Sequence, residues 1–307
     1  VLAQTQQLLI EAPEVPVDED ALVSRAAERA CSSCPNRKEC KDSQRIGMLP
    51  GLLLHKPLLQ TDELPIVCRK SGRFLAELHR SQEQLRSILP ELGDSDEVIV
   101  VDDCSSDGTG TVVKELADPR IRLLHNEQNV GQVKTFERAL GEATGDFLFL
   151  SDQDDIWLPG RVDRMLKALE EDLVVVSNCR HFGAPPGRFH QIRLRAADSR
   201  RHAANVLGIV VGYRLHWGCA MAMRAEFLNQ ALPFPGYMRE SHDQWLAMAG
   251  NLAGSIRYLE EDTVLHRLHS DNVTPDKVRG LPAILRARMA FLANLMILLG
   301  RTRLRRS

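Results

Sequence analysis

The feature that most constrains this chain is an apolar run that ends in three carboxylates, residues 147–157 (FLFLSDQDDIW). Because its apolar residues do not alternate with polar ones, the run predicts a strand buried on both faces of a parallel sheet. The carboxylates then follow the carboxyl end of the strand, where open α/β sheets bind ligands. Asp152 and Asp154 offer the hard oxygen ligands that hold Mg²⁺ or Mn²⁺ beside phosphates. An acidic turn or a helix N-cap is the alternative.

A second stretch repeats this design. Residues 97–109 (EVIVVDDCSSDGT) form an apolar run followed by carboxylates and a turn rich in Ser and Gly. Together the two stretches resemble the GT-A nucleotide-sugar domain of family 2 glycosyltransferases. This one matches the family's Val-Asp-Asp-x-Ser-x-Asp-Gly-Thr motif, and residues 147–157 match its DXD motif in the form of rhamnosyltransferase-like members. The resemblance implies that Asp102 and Asp103 face the nucleobase and ribose, and that the DXD carboxylates hold Mn²⁺ or Mg²⁺ on the diphosphate.

Strands and helices alternate after residue 97. The predicted strands are 97–102, 120–125, 147–150 and 172–177, and the predicted helices are 110–116, 133–140 and a helix that starts at Leu158-Pro159. This alternation predicts an α/β fold with helices on both faces of the sheet. The resemblance implies the GT-A (Rossmann-like), mostly parallel version of that fold. It also makes Asn129 and Gly131, in the turn before the second helix, part of the donor site.

Two later motifs strengthen the resemblance. Residues 217–224 (WGCAMAMR) are similar to the family segment that lines the sugar side of the cleft. Residues 240–246 (ESHDQWL) resemble the His-Asp-x-Trp motif, in which the Asp is the expected catalytic base. Inversion at an anomeric carbon needs a carboxylate that takes the proton of the attacking hydroxyl, and Asp243 fits this role. The alternative is an N-cap of the predicted helix 242–254, which Asp243 or Ser241 could provide.

Residues 265–273 (LHRLHSDNV) resemble the family's Tyr-Arg-x-His-x-x-Asn-Val segment. The resemblance implies that His269 reaches the metal or the diphosphate and that Arg267 holds a phosphate through its planar fork. His266 stands where the family often has Tyr. The stretch 183–205, rich in Gly, Pro, Arg and His, predicts a loop that either binds phosphate oxygens or is a solvated surface loop.

Residues 1–84 predict a small, mainly helical segment that precedes the α/β domain. Its four cysteines are Cys31, Cys34, Cys40 and Cys68. Four thiolates could complete a tetrahedral zinc site. The alternative is that these cysteines are free and buried, where they behave as small apolar residues.

The N-terminal segment has a resemblance of its own, to the cysteine-bearing linker of stage II sporulation protein E, over residues 1–88. The chain would then be a hybrid, with the glycosyltransferase-like domain at 85–280. The nucleobase-binding motif on the first strand of the family is absent. Residues 64–68 predict a substitute strand that pairs in parallel with residues 97–102.

The C-terminal residues 281–307 predict an amphipathic basic helix. It either lies on the inner face of the plasma membrane or packs on the domain or on a partner subunit. The net charge of −2 argues against a dedicated nucleic-acid binder. Seven cysteines, no secretory signal and no window of about 18–20 apolar residues favour a cytoplasmic protein.

These patterns and resemblances lead to one functional prediction. The chain transfers a sugar, with rhamnose as a candidate, from a dTDP- or UDP-sugar to a polysaccharide or lipid-linked acceptor, with inversion. The alternative is a catalytically inactive hybrid or a partner-binding regulatory module, because the first nucleotide-binding motif is missing.

Overall fold

The computed structural model describes residues 80–105, 109–184, 188–268 and 280–304. The predicted cysteine site, the substitute strand 64–68 and His269 lie outside the described residues. The described helices and strands are, in chain order, α1 (80–88), β1 (Val98–Asp102), α2 (Thr109–Glu115), β2 (Ile121–His125), α3 (Gln132–Glu142), β3 (Phe147–Phe149), β4 (Ile156–Trp157), α4 (Arg161–Leu169), β5 (Val174–Phe182), α5 (His202–Val211), β6 (Met221–Arg224), α6 (Leu228–Ala231), α7 (His242–Ala253), β7 (Ile256–Arg267) and α8 (Leu281–Leu304).

The described strands form two sheets. β1 and β2 pair in parallel, and the larger sheet has the order β3-β6-β5-β7-β4. In the described part of the chain no strand pair joins the two sheets. The substitute strand that we predicted for residues 64–68 would pair with β1, and this pairing stays a prediction.

The α/β class, with helices around a sheet, agrees with the sequence. The strand directions differ from those predicted, because the larger sheet is mixed rather than mostly parallel. β5 and β7 are parallel, while β6 is antiparallel to both of its neighbours and β4 is antiparallel to β7. β6 follows β5 and α5 in the chain but runs antiparallel to β5, so this connection is not a parallel β-α-β crossover.

Local chemistry explains most of these elements. β5 begins with six buried residues (VVVSNC), which suits a central strand covered on both faces. α7 is buried along most of its length and contributes Trp245, Leu246 and Met248 to the main core. A helix that is apolar nearly all round belongs in a core. Its first turn carries Asp243, so the core fixes the position of that carboxylate.

Two predicted boundaries were wrong. The loop predicted for 183–205 ends earlier, because α5 begins at His202. The helix predicted to start at Leu158-Pro159 begins at Arg161, after Gly160 in the left-handed region (φ 74°). A left-handed residue cannot continue a right-handed helix, so Gly160 sets the start of α4.

Candidate active site

The acidic loop, which we define as residues 151–155, is held from one side by α1. The Gln84 Nε2 donates hydrogen bonds to Ser151 Oγ (2.8 Å) and to the carbonyl oxygen of Asp152 (2.6 Å). The backbone N–H of Trp157 donates to Ser87 Oγ at 2.9 Å. The segment that the sequence assigned to the join of a hybrid is therefore part of the wall of the site.

The third carboxylate of the loop, Asp155, is fully buried and ties the loop to β7. Its two carboxylate oxygens lie 3.0 Å from Nδ1 of His266, and one of them accepts the N–H of Arg267 at 2.9 Å. Burial works to lower the pKa of His266, but the hydrogen bond and the charge of Asp155 outweigh it and raise that pKa. Asp155, His266 and Cys219 have potential metal-ligand atoms within 4.8 Å of one another. Because the carboxylate of Asp155 already accepts these hydrogen bonds, we assign the group a structural role.

Asp152, at the start of the loop, is surrounded by like charges. Burial raises its pKa to about 7, and the neighbouring carboxylates of Asp155, Asp154 and Asp243 add to the rise, while His266 acts in the opposite direction. Clustered carboxylates that cannot all ionise indicate a place where a cation would be stabilised. Asp243 belongs to this group although it lies on α7, outside the acidic loop.

The donor set fits the predicted cation. Carboxylate oxygens are the preferred ligands of Mg²⁺ and suit Mn²⁺. Asp154 is buried, and Asp152 is partly buried. A divalent cation beside them would reverse the rise in the pKa of Asp152, since an opposite charge favours the ionised form.

Asp243 lies in the first turn of α7. Its Oδ1 accepts the N–H of Gln244 at 2.7 Å. Burial raises the pKa of Asp243 to about 6. Ser241, before the helix, has a left-handed backbone (φ 67°) and makes no side-chain cap hydrogen bond. A carboxylate with a pKa near 6 is ionised at neutral pH and basic enough to accept a proton.

His242, next to Asp243, was given no role of its own from the sequence. Its ring is 4% exposed and stacks on Phe136, with ring centres 4.4 Å apart. Within the described part of the chain, neither ring nitrogen has a hydrogen-bond partner. Burial lowers the pKa of His242 to about 4, so the ring is neutral at physiological pH. The signal in the sequence that could have pointed to His242 is its place directly before Asp243 in the His-Asp-x-Trp motif.

The second carboxylate pair makes a different set of contacts. Asp103 accepts hydrogen bonds from Asn126 Nδ2 (2.7 Å), from the N–H of Val130 (2.9 Å) and from the N–H of Gly131 (2.8 Å), and its carbonyl oxygen accepts Nδ2 of Asn129 (3.1 Å). Burial works to raise the pKa of Asp103, but these hydrogen bonds outweigh it and lower the pKa. The structure thus brings together three predicted donor-site residues, and Asp103 shapes the loop that contains the other two.

Asp102, at the end of β1, is buried. Its carboxylate accepts the N–H of Ser105 at 2.9 Å and lies 3.1 Å from Nδ1 of His125. Burial works to raise the pKa of Asp102, but the hydrogen bonds from Ser105 and His125 outweigh it and lower the pKa. The ionised form is therefore stabilised.

The predicted phosphate ligand Arg267 is held by protein groups. Its Nη2 lies 2.7 Å from a carboxylate oxygen of Glu83, its Nε donates to the carbonyl oxygen of Asp154 at 3.0 Å, and its guanidinium lies over the ring of Phe182. It therefore joins α1 to the acidic loop. In the basic stretch 183–205, ion pairs hold Arg193 to Asp262, Arg200 to Asp172 and Arg201 to Asp198. These contacts favour the surface-loop alternative for those three arginines.

Arg161 is a buried cation beneath the acidic loop that the sequence analysis did not single out. It is 0% exposed and donates to Thr263 Oγ1 (2.7 Å) and to the carbonyl oxygen of Cys219 (2.8 Å). Its guanidinium lies 4.7 Å from the ring centre of Trp157. Burial lowers the pKa of Arg161 to about 10, with the charge of Asp155 acting in the opposite direction. At neutral pH the side chain is a fixed positive charge near the clustered carboxylates.

Comparison with known families identifies the family of this chain. A family model, "Glycosyl transferase family 2", matches residues 75–230, half of the chain. The succinoglycan biosynthesis protein ExoO of Rhizobium meliloti is 37% identical over 83 residues, 27% of this chain and 24% of that protein. An uncharacterized glycosyltransferase of Nostoc sp. is 24% identical over 197 residues, 61% of this chain and 60% of that protein.

A third relative is named by its reaction. WfgD of Escherichia coli, a UDP-Glc:alpha-D-GlcNAc-diphosphoundecaprenol beta-1,3-glucosyltransferase, is 34% identical over 91 residues, 30% of this chain and 36% of that protein. The chain thus spans between 24% and 60% of the length of these three relatives.

Among solved structures, TarS of S. aureus in complex with UDP-GlcNAc is similar to this chain. The TM-score is 0.55 at 19% sequence identity, over 71% of this chain and 63% of the solved chain, residues 1–349 of TarS. This likeness confirms the predicted GT-A fold. Because the family model covers half of the chain, this chain belongs to glycosyl transferase family 2.

Proposed function

We propose that this chain transfers a sugar from a nucleoside-diphosphate sugar to a polysaccharide or lipid-linked acceptor, with inversion at the anomeric carbon. The observation that carries the proposal is electrostatic. The charge of Asp243 on α7 adds to the rise in the pKa of Asp152 of the acidic loop, so a candidate base lies within electrostatic range of a candidate cation ligand. A transferase that inverts its sugar needs this pairing, a base on one side and charge stabilisation of the leaving diphosphate on the other.

In the proposed mechanism, Asp152 and Asp154 would hold Mn²⁺ or Mg²⁺. When bound, that cation supplies the positive charge that stabilises the leaving diphosphate. Asp243 takes the proton of the acceptor hydroxyl, and its pKa of about 6 leaves it ionised at neutral pH. Asp155, through His266 and the N–H of Arg267, holds the loop in register with β7. Asp102 and Asp103 position the nucleoside end.

The relatives' names support a uridine nucleotide as the first donor to test. WfgD is named for UDP-Glc and a diphosphoundecaprenol acceptor, and TarS holds UDP-GlcNAc. A dTDP-sugar, with rhamnose as its sugar, is the donor that the rhamnosyltransferase-like form of the DXD motif favours. We propose a bilayer-bound or polymeric acceptor, and a cytoplasmic location that makes such donors available.

Calorimetric titration of the full chain tests the proposal. UDP and dTDP are each titrated with and without Mn²⁺. We expect binding that requires Mn²⁺, with the tighter nucleotide identifying the base of the donor. A folded protein that binds neither nucleotide would contradict the proposal and favour the inactive or partner-binding alternative.

The N-terminal segment is a separate proposal. The proposed domain boundary after residue 84 falls within α1, in which Gln84 holds the acidic loop and Ser87 accepts the N–H of Trp157 in β4. The zinc site at the four N-terminal cysteines and the hybrid origin of residues 1–88 stay predictions. Elemental analysis of the purified full chain for zinc would test the first, and amplification of the coding DNA across codons 80–95 would test the second.

A further inference from the structure

The last helix, α8, exposes a continuous apolar stripe. Five of its large apolar side chains are between 50% and 71% exposed: Leu281, Leu285, Met289, Leu292 and Met296. Their spacing of three or four residues places them on one side of the helix. Residues 281–302 are long and apolar enough to cross a membrane by length and composition, and few of them are buried. No such segment was expected from the sequence.

The opposite side of α8 is fixed to the domain. Leu298 is buried in the main core, and the buried Asn294 accepts a hydrogen bond from the hydroxyl of Tyr237 at 2.6 Å. The guanidinium of Arg301 donates to the carbonyl oxygens of Ala231 (3.1 Å) and Pro233 (2.6 Å). Crossing a bilayer would break these polar contacts and move the buried groups into hydrocarbon, which is costly. The helix is therefore built to stay on the domain.

The stripe continues onto a neighbouring helix. Leu207 and Val211 of α5, and Tyr213 just after it, are each more than half exposed. A groove of about 470 Å³ between α5 and α8 is lined by apolar side chains from both helices, among them Val206, Val210, Leu292 and Leu295. We call the stripe, these exposed α5 residues and the groove the α5–α8 surface.

The charged residues in the segment that carries the stripe are of one sign. The segment 281–307 contains six arginines and no Asp or Glu. Arg286 is exposed beside Leu285 in the stripe. Arg288 reaches across to α5, where its Nη1 donates to the carbonyl oxygen of Val210 at 3.3 Å. Apolar side chains edged by arginines complement the boundary between anionic headgroups and acyl chains.

We propose that the α5–α8 surface binds an anionic phospholipid bilayer, with α8 parallel to the membrane plane and its stripe in the headgroup–acyl boundary. The groove takes part of an acyl chain. A second copy of this chain is a less suitable occupant, because two such surfaces would bring their arginines together. This inference does not rest on the proposed function.

Flotation of the full chain with vesicles tests the proposal. We expect the protein to float with vesicles of phosphatidylcholine and phosphatidylglycerol, and to bind phosphatidylcholine vesicles at least tenfold more weakly. The double variant Met289→Glu/Met296→Glu places two carboxylates in the stripe and should lower partitioning onto the anionic vesicles at least tenfold. Both positions are exposed, so the variant should fold.

A matched control is Thr111→Glu/Ala197→Glu, which adds the same charge at exposed positions outside the surface. Unchanged flotation of this control, with loss in the stripe variant, supports the proposal. Wild-type protein that stays unbound, or a stripe variant that floats normally, overturns it. Bound protein that resists alkaline carbonate extraction would indicate a spanning helix and overturns the parallel orientation. Light scattering could instead show a dimer that the stripe variant alone fails to form, with no binding to vesicles. That result would assign the surface to a second copy of the chain and would also overturn the proposal.

Discussion

Two carboxylate-bearing turns follow similar apolar runs in this chain, and the structure treats them in opposite ways. At β1, Asp102 and Asp103 accept hydrogen bonds from neighbouring groups, which lower their pKa values against the effect of burial. At β3, burial and neighbouring carboxylates raise the pKa of Asp152 to about 7. The first turn is electrostatically satisfied by the protein, whereas the second has an excess of negative charge.

Because of this difference, we expect the two turns to have different roles. The carboxylate of Asp103 accepts hydrogen bonds from the loop 126–131, so replacing Asp103 should first affect the shape and stability of that loop. The acidic loop retains a charge imbalance that a cation or a proton would relieve. We therefore expect substitutions in the acidic loop and at Asp243 to change the rate of sugar transfer and its dependence on metal. Substitutions in the β1 turn should change the shape of the part of the site that would hold the nucleoside.

The largest effect should come from Asp243→Asn. An amide cannot take the acceptor proton, so we expect sugar transfer to fall about 10²–10⁴-fold, the usual contribution of a general base. Calorimetric affinity for the nucleotide with Mn²⁺ should remain unchanged. Transfer at the wild-type rate would exclude Asp243 as the base.

Asp154→Asn should act on the cation instead. Replacing a charged ligand by an amide weakens a hard cation site, so we expect the Mn²⁺-dependent part of nucleotide binding to disappear from the titration. Asp163→Asn, at an exposed position of α4, is the matched control and should bind normally. Full Mn²⁺-dependent affinity in Asp154→Asn would contradict the ligand role.

The pH dependence of transfer should report on Asp243. Its pKa is raised by burial from the usual 3.8 to about 6, and only the ionised form can accept a proton. We therefore expect kcat/KM to be on a plateau above pH 7 and to fall about tenfold per pH unit below pH 6. Nucleotide affinity measured over the same range separates this loss from loss of binding. A rate that stays constant between pH 5 and pH 7 would be the contrary result.

The smallest effect, and one on stability, is expected for Asp103→Asn. The NH₂ of the new amide would face at least one of the N–H groups that now donate to the carboxylate of Asp103. That N–H would lose its acceptor, at a cost of about 1–3 kcal/mol. For a domain of this size the melting temperature should fall by about 2–4 °C for each kcal/mol. Asp146→Asn, an exposed carboxylate before β3, is the control and should melt as the wild type does. Equal melting temperatures would show that the loop 126–131 is held by other contacts.

The sequence was a good guide where chemistry is local. Apolar runs located β1, β2, β3 and the start of β5, and the motifs carried the family, which the family model confirms. It was a poorer guide where long-range contacts decide. The pairing of β6 with β3, the contacts of the buried cation Arg161 and the ion pair of Arg267 with Glu83 all depend on segments more than fifty residues apart along the chain.

The sequence by itself determined that carboxylates stand at the ends of two strands and that Asp243 lies at the start of a helix, because period and composition are properties of neighbouring residues. It could not determine which carboxylates are stabilised in the ionised form by hydrogen bonds from the protein. That was decided by the tertiary structure, which brings Asn126, Val130 and Gly131 to Asp103 and leaves Asp152 among like charges. A pKa depends on burial and on the nearest donors and charges, and those are set by packing between distant segments.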